Sequence, residues 1–114
     1  IFAGPLAVAT LRRFHVTKAF ITTSGITLAN GITNASLYQA EIKRSLIDIA
    51  DEAILITDHT KFGRANGIVV APVSDFRKII TDTAAPGEDV DALRAMGIDV
   101  ILTEPAKDVS ALRR

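Results

Sequence analysis

Two apolar runs in this chain each end in a carboxylate, and one of them continues into an ammonium group. Asp58-His59-Thr60-Lys61-Phe62-Gly63 follows the run Ala53–Thr57. A lysine just past a strand places a compact point charge where a phosphate or carboxylate can sit. The aspartate ahead of it can orient that lysine or accept a hydrogen bond from a sugar hydroxyl. The same residues would equally make a solvated turn with an Asp–Lys surface pair of little energetic worth. Asp82 ends the second run, Lys78–Thr81, and reads as a residue that caps or turns the chain.

A third segment, residues 23–35, contains Ser24-Gly25-Ile26-Thr27 and Gly31-Ile32-Thr33-Asn34. Glycines and hydroxyls let backbone N–H groups approach an anion closely, which would make this a ligand-facing loop. Composition alone favours a turn-rich connection. The spacing is neither a Walker motif nor a dinucleotide fingerprint. Glu41 could meet a sugar hydroxyl, or simply complement the dipole of the helix it opens. Asp58 and Glu41 could pair for proton transfer, but nothing in their spacing demands it. His15 and His59 are isolated and there is no Cys, so no metal site and no cofactor is expected.

The elements that must hold these residues follow from periodicity. Pro5 suits the first position of a helix, which should run to about Phe14. Lys18–Thr22 reads as a strand, and residues 23–35 as a long polar loop. Ser36 with Gln39 forms a capping box for a helix reaching about Asp51, with Tyr38, Ile42, Leu46 and Ile49 on its apolar face. Ala53–Thr57 is continuously apolar, hence a central strand. Ile68–Val73 is a strand whose Pro72 belongs at an edge or an end. Ser74-Asp75-Phe76 suits one helical turn. Lys78–Thr81 is the next strand. Residues 86–96 form a helix stopped by Gly97, and Asp99–Leu102 is the last strand. The tail, residues 104–114, is open between fraying and a terminal helix.

Strands alternating with helices predict an α/β fold with a mostly parallel sheet of four or five strands. In such sheets ligands bind beyond the carboxyl ends of the strands, where the 23–35 loop, the Asp58–Gly63 turn and Asp82 should converge. The chain has 114 residues, 48% of them hydrophobic and only 5% aromatic, which suits a core of Ile, Leu, Val and Ala. A formal net charge of +0 supplies no phosphate-binding surface for DNA. No apolar run reaches membrane-spanning length, and a cytoplasmic location is expected. The start at Ile1 lacks a signal peptide and an initiator Met, so the chain reads as a piece of something longer.

Taken in order, Ser24–Thr27, Gly31–Asn34, Glu41-Ile42-Lys43-Arg44, Asp58–Gly63 and Ile80-Thr81-Asp82 resemble the C-terminal sensor domain of DeoR-family transcriptional repressors. The resemblance runs from about Ala3 to Thr103, and the D-x-[ST]-K-F-G element followed by I-T-D is its most specific part. It implies the fold shared with ribose-5-phosphate isomerase, glucosamine-6-phosphate deaminase and CoA transferases, with its N-terminal part missing. It implies one partial effector-sensing domain over residues 1–114. Such a domain binds a phosphorylated sugar or related intermediate and is no enzyme. DNA would be met only through an absent N-terminal winged helix-turn-helix, and a homo-oligomer is expected. Asp58 and Lys61 match the family's effector-site motif, and Thr27, Gly31 and Glu41 match other positions expected near the ligand. The alternative readings are a sugar-phosphate isomerase or deaminase on the same fold, or a module that only oligomerises.

Overall fold

The computed structural model describes residues 4–105. Most of the tail expected at residues 104–114 lies outside them. The chain begins with helix α1 (Pro5–Leu11), with Pro5 in the first turn as its missing N–H allows. The helix stops short of Phe14. Only Ala7 is buried within it, and Leu6 is 81% exposed. Strand β1 (Val16–Ile21) follows.

Residues 23–35 are where the sequence reading needs correction. They are not a loop but a hairpin of β2 (Gly25–Thr27) and β3 (Gly31–Asn34), paired antiparallel with Ile26 opposite Ile32. The connection Leu28-Ala29-Asn30 is closed by Gly31 at φ 80°, the left-handed conformation that short hairpin loops reserve for glycine. The Thr27 hydroxyl accepts the Asn30 N–H. Ile26 and Ile32 are fully buried, so the paired strands belong to the core, while Leu28, Ala29 and Asn30 of the connection are exposed.

Helix α2 (Leu37–Ile49) starts at Ser36, whose hydroxyl accepts the Gln39 N–H as the capping pattern predicts. Its inward face differs from the expected one. Ala40, Ser45 and Ile47 are buried, while Tyr38 is 58% exposed. The helix is packed between α1 and both sheets, so small residues are needed where strands approach. Ser45 satisfies its hydroxyl on the Glu41 carbonyl one turn back.

Strand β4 (Ala50–Ile56) leads to a 3-10 turn (His59–Lys61), then β5 (Ile68–Ala71), a second 3-10 turn (Val73–Asp75) and β6 (Lys78–Asp82). Helix α3 (Gly87–Ala95) ends at Gly97, which takes φ 87°, and β7 (Asp99–Thr103) completes the described chain. The strands number seven among the described residues, in two sheets. A parallel sheet has the order β1-β4-β6-β7, which puts β4 inside it as its apolar run predicts. An antiparallel sheet has the order β2-β3-β5, with β5 at its edge and Pro72 just past its end. The α/β expectation stands, with this second sheet added to it.

An ion network ties the first half together. Arg44 contacts Asp48 Oδ1 with Nη2 at 2.6 Å and Nε at 3.0 Å, and Asp75 with Nη1 at 2.7 Å. Arg12 of α1 contacts Asp48 Oδ2 at 2.9 Å. Burial raises the Asp48 pKa, but the hydrogen bonds and charges of Arg44 and Arg12 outweigh it and hold it below the ordinary 3.8. Its contribution to stability is therefore fully present above pH 3.8 and is lost as pH falls through the lowered folded-state value. Asp48→Asn is expected to cost about 1 kcal/mol near neutral pH, kept small because both partners are about a third exposed. The cost should shrink at about pH 3. Denaturant titrations at the two pH values measure it, and equal losses would exclude the charge pairing as the cause.

Candidate functional site

All four parallel strands point their carboxyl ends at one edge, and a cleft of about 400 Å³ opens there. It is lined by Thr22 and Thr23 after β1, by Thr57, Asp58 and Lys61 after β4, by Thr81 and Asp82 of β6, and by Thr103 and Glu104 at the end of β7. The lining repeats one short pattern at every strand end: Ile21-Thr22-Thr23, Ile56-Thr57-Asp58, Ile80-Thr81-Asp82 and Leu102-Thr103-Glu104. In each, an apolar residue is followed by a threonine and then by a polar residue that ends the strand or leaves it. This recurrence was available in the sequence and would have found the threonines and Glu104, which motif reading passed over.

The turn after β4 is built from its own side chains. Asp58 caps it, with Oδ1 accepting the Thr60 N–H at 2.8 Å and the Thr60 hydroxyl. The Thr60 hydroxyl is the main cause of a lowered Asp58 pKa. The Thr60 N–H and the charges of Lys61 and His59 add to it against a burial effect. Lys61 is half-buried and is in no ion pair among the described residues. It is the one cation among the described residues that line the cleft, against the carboxylates of Asp58, Asp82 and Glu104.

Asp82 does more than end its strand. It is only 6% exposed. Oδ2 accepts the His59 N–H at 2.9 Å and faces His59 Nδ1 at 3.0 Å, and Oδ1 accepts the Ala84 N–H at 2.9 Å. Burial pushes its pKa up, but these donors outweigh that effect and hold the carboxyl ionised.

The hairpin braces the same turn from the other side. The Gly63 N–H donates to the Ile26 carbonyl at 2.9 Å, and the Asn66 N–H to the Thr33 hydroxyl at 3.2 Å. Lys43 of α2 is half-buried and donates to the Thr22 carbonyl at 2.7 Å and to Asn34 Oδ1 at 2.9 Å, and burial lowers its pKa. It thus joins the cleft wall to the hairpin. Nothing in the helical periodicity set it apart from its charged neighbours.

Of the residues singled out from sequence, the structure brings Asp58 and Lys61 together in the cleft, beside Asp82. Thr27 and Gly31 stand at the far end of the hairpin. A Cβ on Gly31 would lie 2.1 Å from the Ala71 carbonyl oxygen, so glycine there lets two strands of the antiparallel sheet meet. Glu41 lines a second, smaller groove of about 240 Å³ between α1, α2 and β5. His15 pairs with Asp51 on the surface at 2.7 Å. Among the described residues no cluster of His, Asp and Glu could hold a metal ion, and no helix is long and apolar enough to cross a membrane.

A cleft at the carboxyl edge of a parallel α/β sheet stands where this architecture commonly places ligands. Residues 1–83 match the family described as the DeoR C terminal sensor domain, and the chain belongs to that family. It is similar to the HTH-type transcriptional regulator YulB of Bacillus subtilis, 33% identical over 99 residues, covering 87% of this chain and 38% of YulB. It is also similar to the regulator IolR of the same organism, 36% identical over 80 residues, 70% of this chain and 32% of IolR. The repressor GlcR, again of B. subtilis, is 31% identical over 101 residues, 89% of this chain and 39% of GlcR. The chain thus spans little more than a third of the length of these relatives.

Two substitutions test the site's construction. Gly31→Ala combines a left-handed φ with a backbone clash and should cost roughly 3 kcal/mol or more. Thr81 is 3% exposed, and its Oγ1 has no hydrogen-bond partner among the described residues. Thr81→Val keeps the shape and removes the unpaired hydroxyl, so stability should hold or rise by up to about 1 kcal/mol. Thermal melts measure both, and a clear loss for Thr81→Val would mean that the hydroxyl is paired.

Proposed function

We propose that this domain senses a phosphorylated sugar or a related intermediate, and that it binds this effector without transforming it. The observation that carries the reading is the placement of Lys61. Among the described residues it is the single cation lining a cleft of ligand size at the carboxyl edge of a parallel sheet. One ammonium among carboxylates and threonines suits a ligand with one anionic group and many hydroxyls. Lys61 would meet the phosphate as a point charge. Asp58, with Oδ1 already engaged by Thr60, would accept a sugar hydroxyl through its other oxygen. Thr27, Gly31 and Glu41, which the family resemblance set near the ligand, lie outside this cleft, and their part in the reading is to build the surrounding fold.

In the whole regulator the effector would act by stabilising one quaternary arrangement over another, and so weaken DNA binding by a separate winged-helix domain. A protein that reads a two-fold operator would do this as an oligomer. Calorimetry of the purified regulator against glucose 6-phosphate, fructose 6-phosphate and ribose 5-phosphate tests the reading. At least one should bind, and Lys61→Ala should weaken that binding by roughly tenfold or more, the loss of a charge-assisted contact. Undiminished affinity in Lys61→Ala overturns the role given to Lys61. Turnover of ribose 5-phosphate would replace the sensor with an isomerase.

A further inference from the structure

The turn that presents Lys61 is short, and a lysine on a four-carbon stem delivers its charge reliably only if its own backbone is fixed. One end of the turn is fixed by the hairpin through the Gly63 N–H and the Ile26 carbonyl. The other end leaves β4 at Thr57, whose N–H donates to the Ile80 carbonyl of β6 at 3.0 Å. Beyond Thr57 the sheet pairing stops, and a carboxylate from the neighbouring strand takes over. Asp82, rooted in β6 and paired there with Thr103 of β7, accepts both the backbone N–H and the ring nitrogen of His59 on one oxygen. Its second oxygen is taken by the Ala84 N–H. An ionised carboxylate this deeply buried is stable only with such donors, so the arrangement resists displacement.

We infer that Asp82 is a positioning residue for Lys61, acting through His59. It carries the turn at a fixed height above the sheet and so sets where the ammonium stands in the cleft. The His59 ring is the adjustable part of this grip. Its side chain is 42% exposed, and its loss leaves the backbone N–H bond to Asp82 in place. The inference rests on the ligand role proposed for Lys61, but the fixing of the turn is measurable without any ligand.

Asp82→Ala would strip a buried site of its acceptor and could unfold the protein, so the test uses His59. In the free regulator, His59→Ala is expected to raise amide hydrogen exchange at Lys61 and Phe62 by roughly three- to tenfold, the worth of one net hydrogen bond. Those two N–H groups bond to the Asp58 and His59 carbonyls inside the turn. Affinity for whichever of the three sugar phosphates binds should fall by a similar factor. His59→Asn, whose amide can donate to Asp82 from nearly the same place, should restore both. Unchanged exchange in His59→Ala overturns the inference. So does a melting temperature that falls in step with affinity, since that would make the pair a general brace. If Lys61→Ala binds as tightly as wild type, the ligand reading fails by itself, and the exchange result alone decides whether Asp82 fixes the turn.

Discussion

A parallel strand pair cannot be closed by a tight turn. The chain must leave the carboxyl end of one strand and travel back along the sheet before it can enter the next. In this molecule the parallel strands occur in the sheet in the same order as in the chain, so every return steps in the same direction. The returns carry the hairpin and α2, then β5, then α3. Right-handed crossovers stack all of them on one face, and they leave all four carboxyl ends together at one edge. The cleft is the consequence. It needs no special loop, only four strands that stop at the same level and expose their last polar residues.

That geometry explains the repeated ending of apolar residue, threonine and polar residue. Ile21, the last residue of β1, seals the core at 1% exposure, whereas Ile56 and Leu102 in the corresponding places are 40% and 38% exposed. The following threonine still favours the extended backbone but brings a hydroxyl. The residue after it ends or leaves the strand: Asp82 is still paired with Thr103, whereas Asp58 begins the turn. The opposite face of the sheet shows the same topology from the other side. Ile56, Ile80 and Ile101 stand side by side on β4, β6 and β7, and Phe20, Ile56 and Ile101 are 58%, 40% and 38% exposed. No return passes over them among the described residues.

Legibility in the sequence followed the length and regularity of each signal. The parallel strands, α2 with its Ser36 cap and α3 with its Gly97 stop were readable, because burial on a sheet leaves unbroken apolar runs and caps leave fixed residue types. The hairpin was not. Residues 25–34 hide two buried isoleucines among threonines, asparagines and glycines, a composition shared with loops. The available clue was Asn30-Gly31, a hairpin signal, where Leu28-Ala29-Asn30 separates two Gly-Ile-Thr triplets. The face of α2 was misjudged because apolar size was taken as the guide, whereas its buried side includes the small residues Ala40 and Ser45 beside Ile47.

The same distinction separates the members of the candidate site. Matching a family motif locates a residue in the chain but does not say whether it serves a ligand or the backbone. A Cβ on Gly31 would fall 2.1 Å from the Ala71 carbonyl oxygen of β5, which is reason enough for glycine without any ligand. Asp58 and Lys61 have no such structural reason to be together in the lining of the cleft. A turn capped by Asp58 would form as well with a neutral residue at position 61, and no carboxylate among the described residues pairs with the lysine. Lys61 lies in a half-buried wall formed by Ile56, Ile80, threonines and the carboxylates of Asp58, Asp82 and Glu104, and its charge helps to keep Asp58 ionised. The antiparallel sheet then has a purpose beyond filling space. Through Gly63, Asn66 and Lys43 it braces the turn and the cleft wall together, and so fixes the backbone that carries the cation.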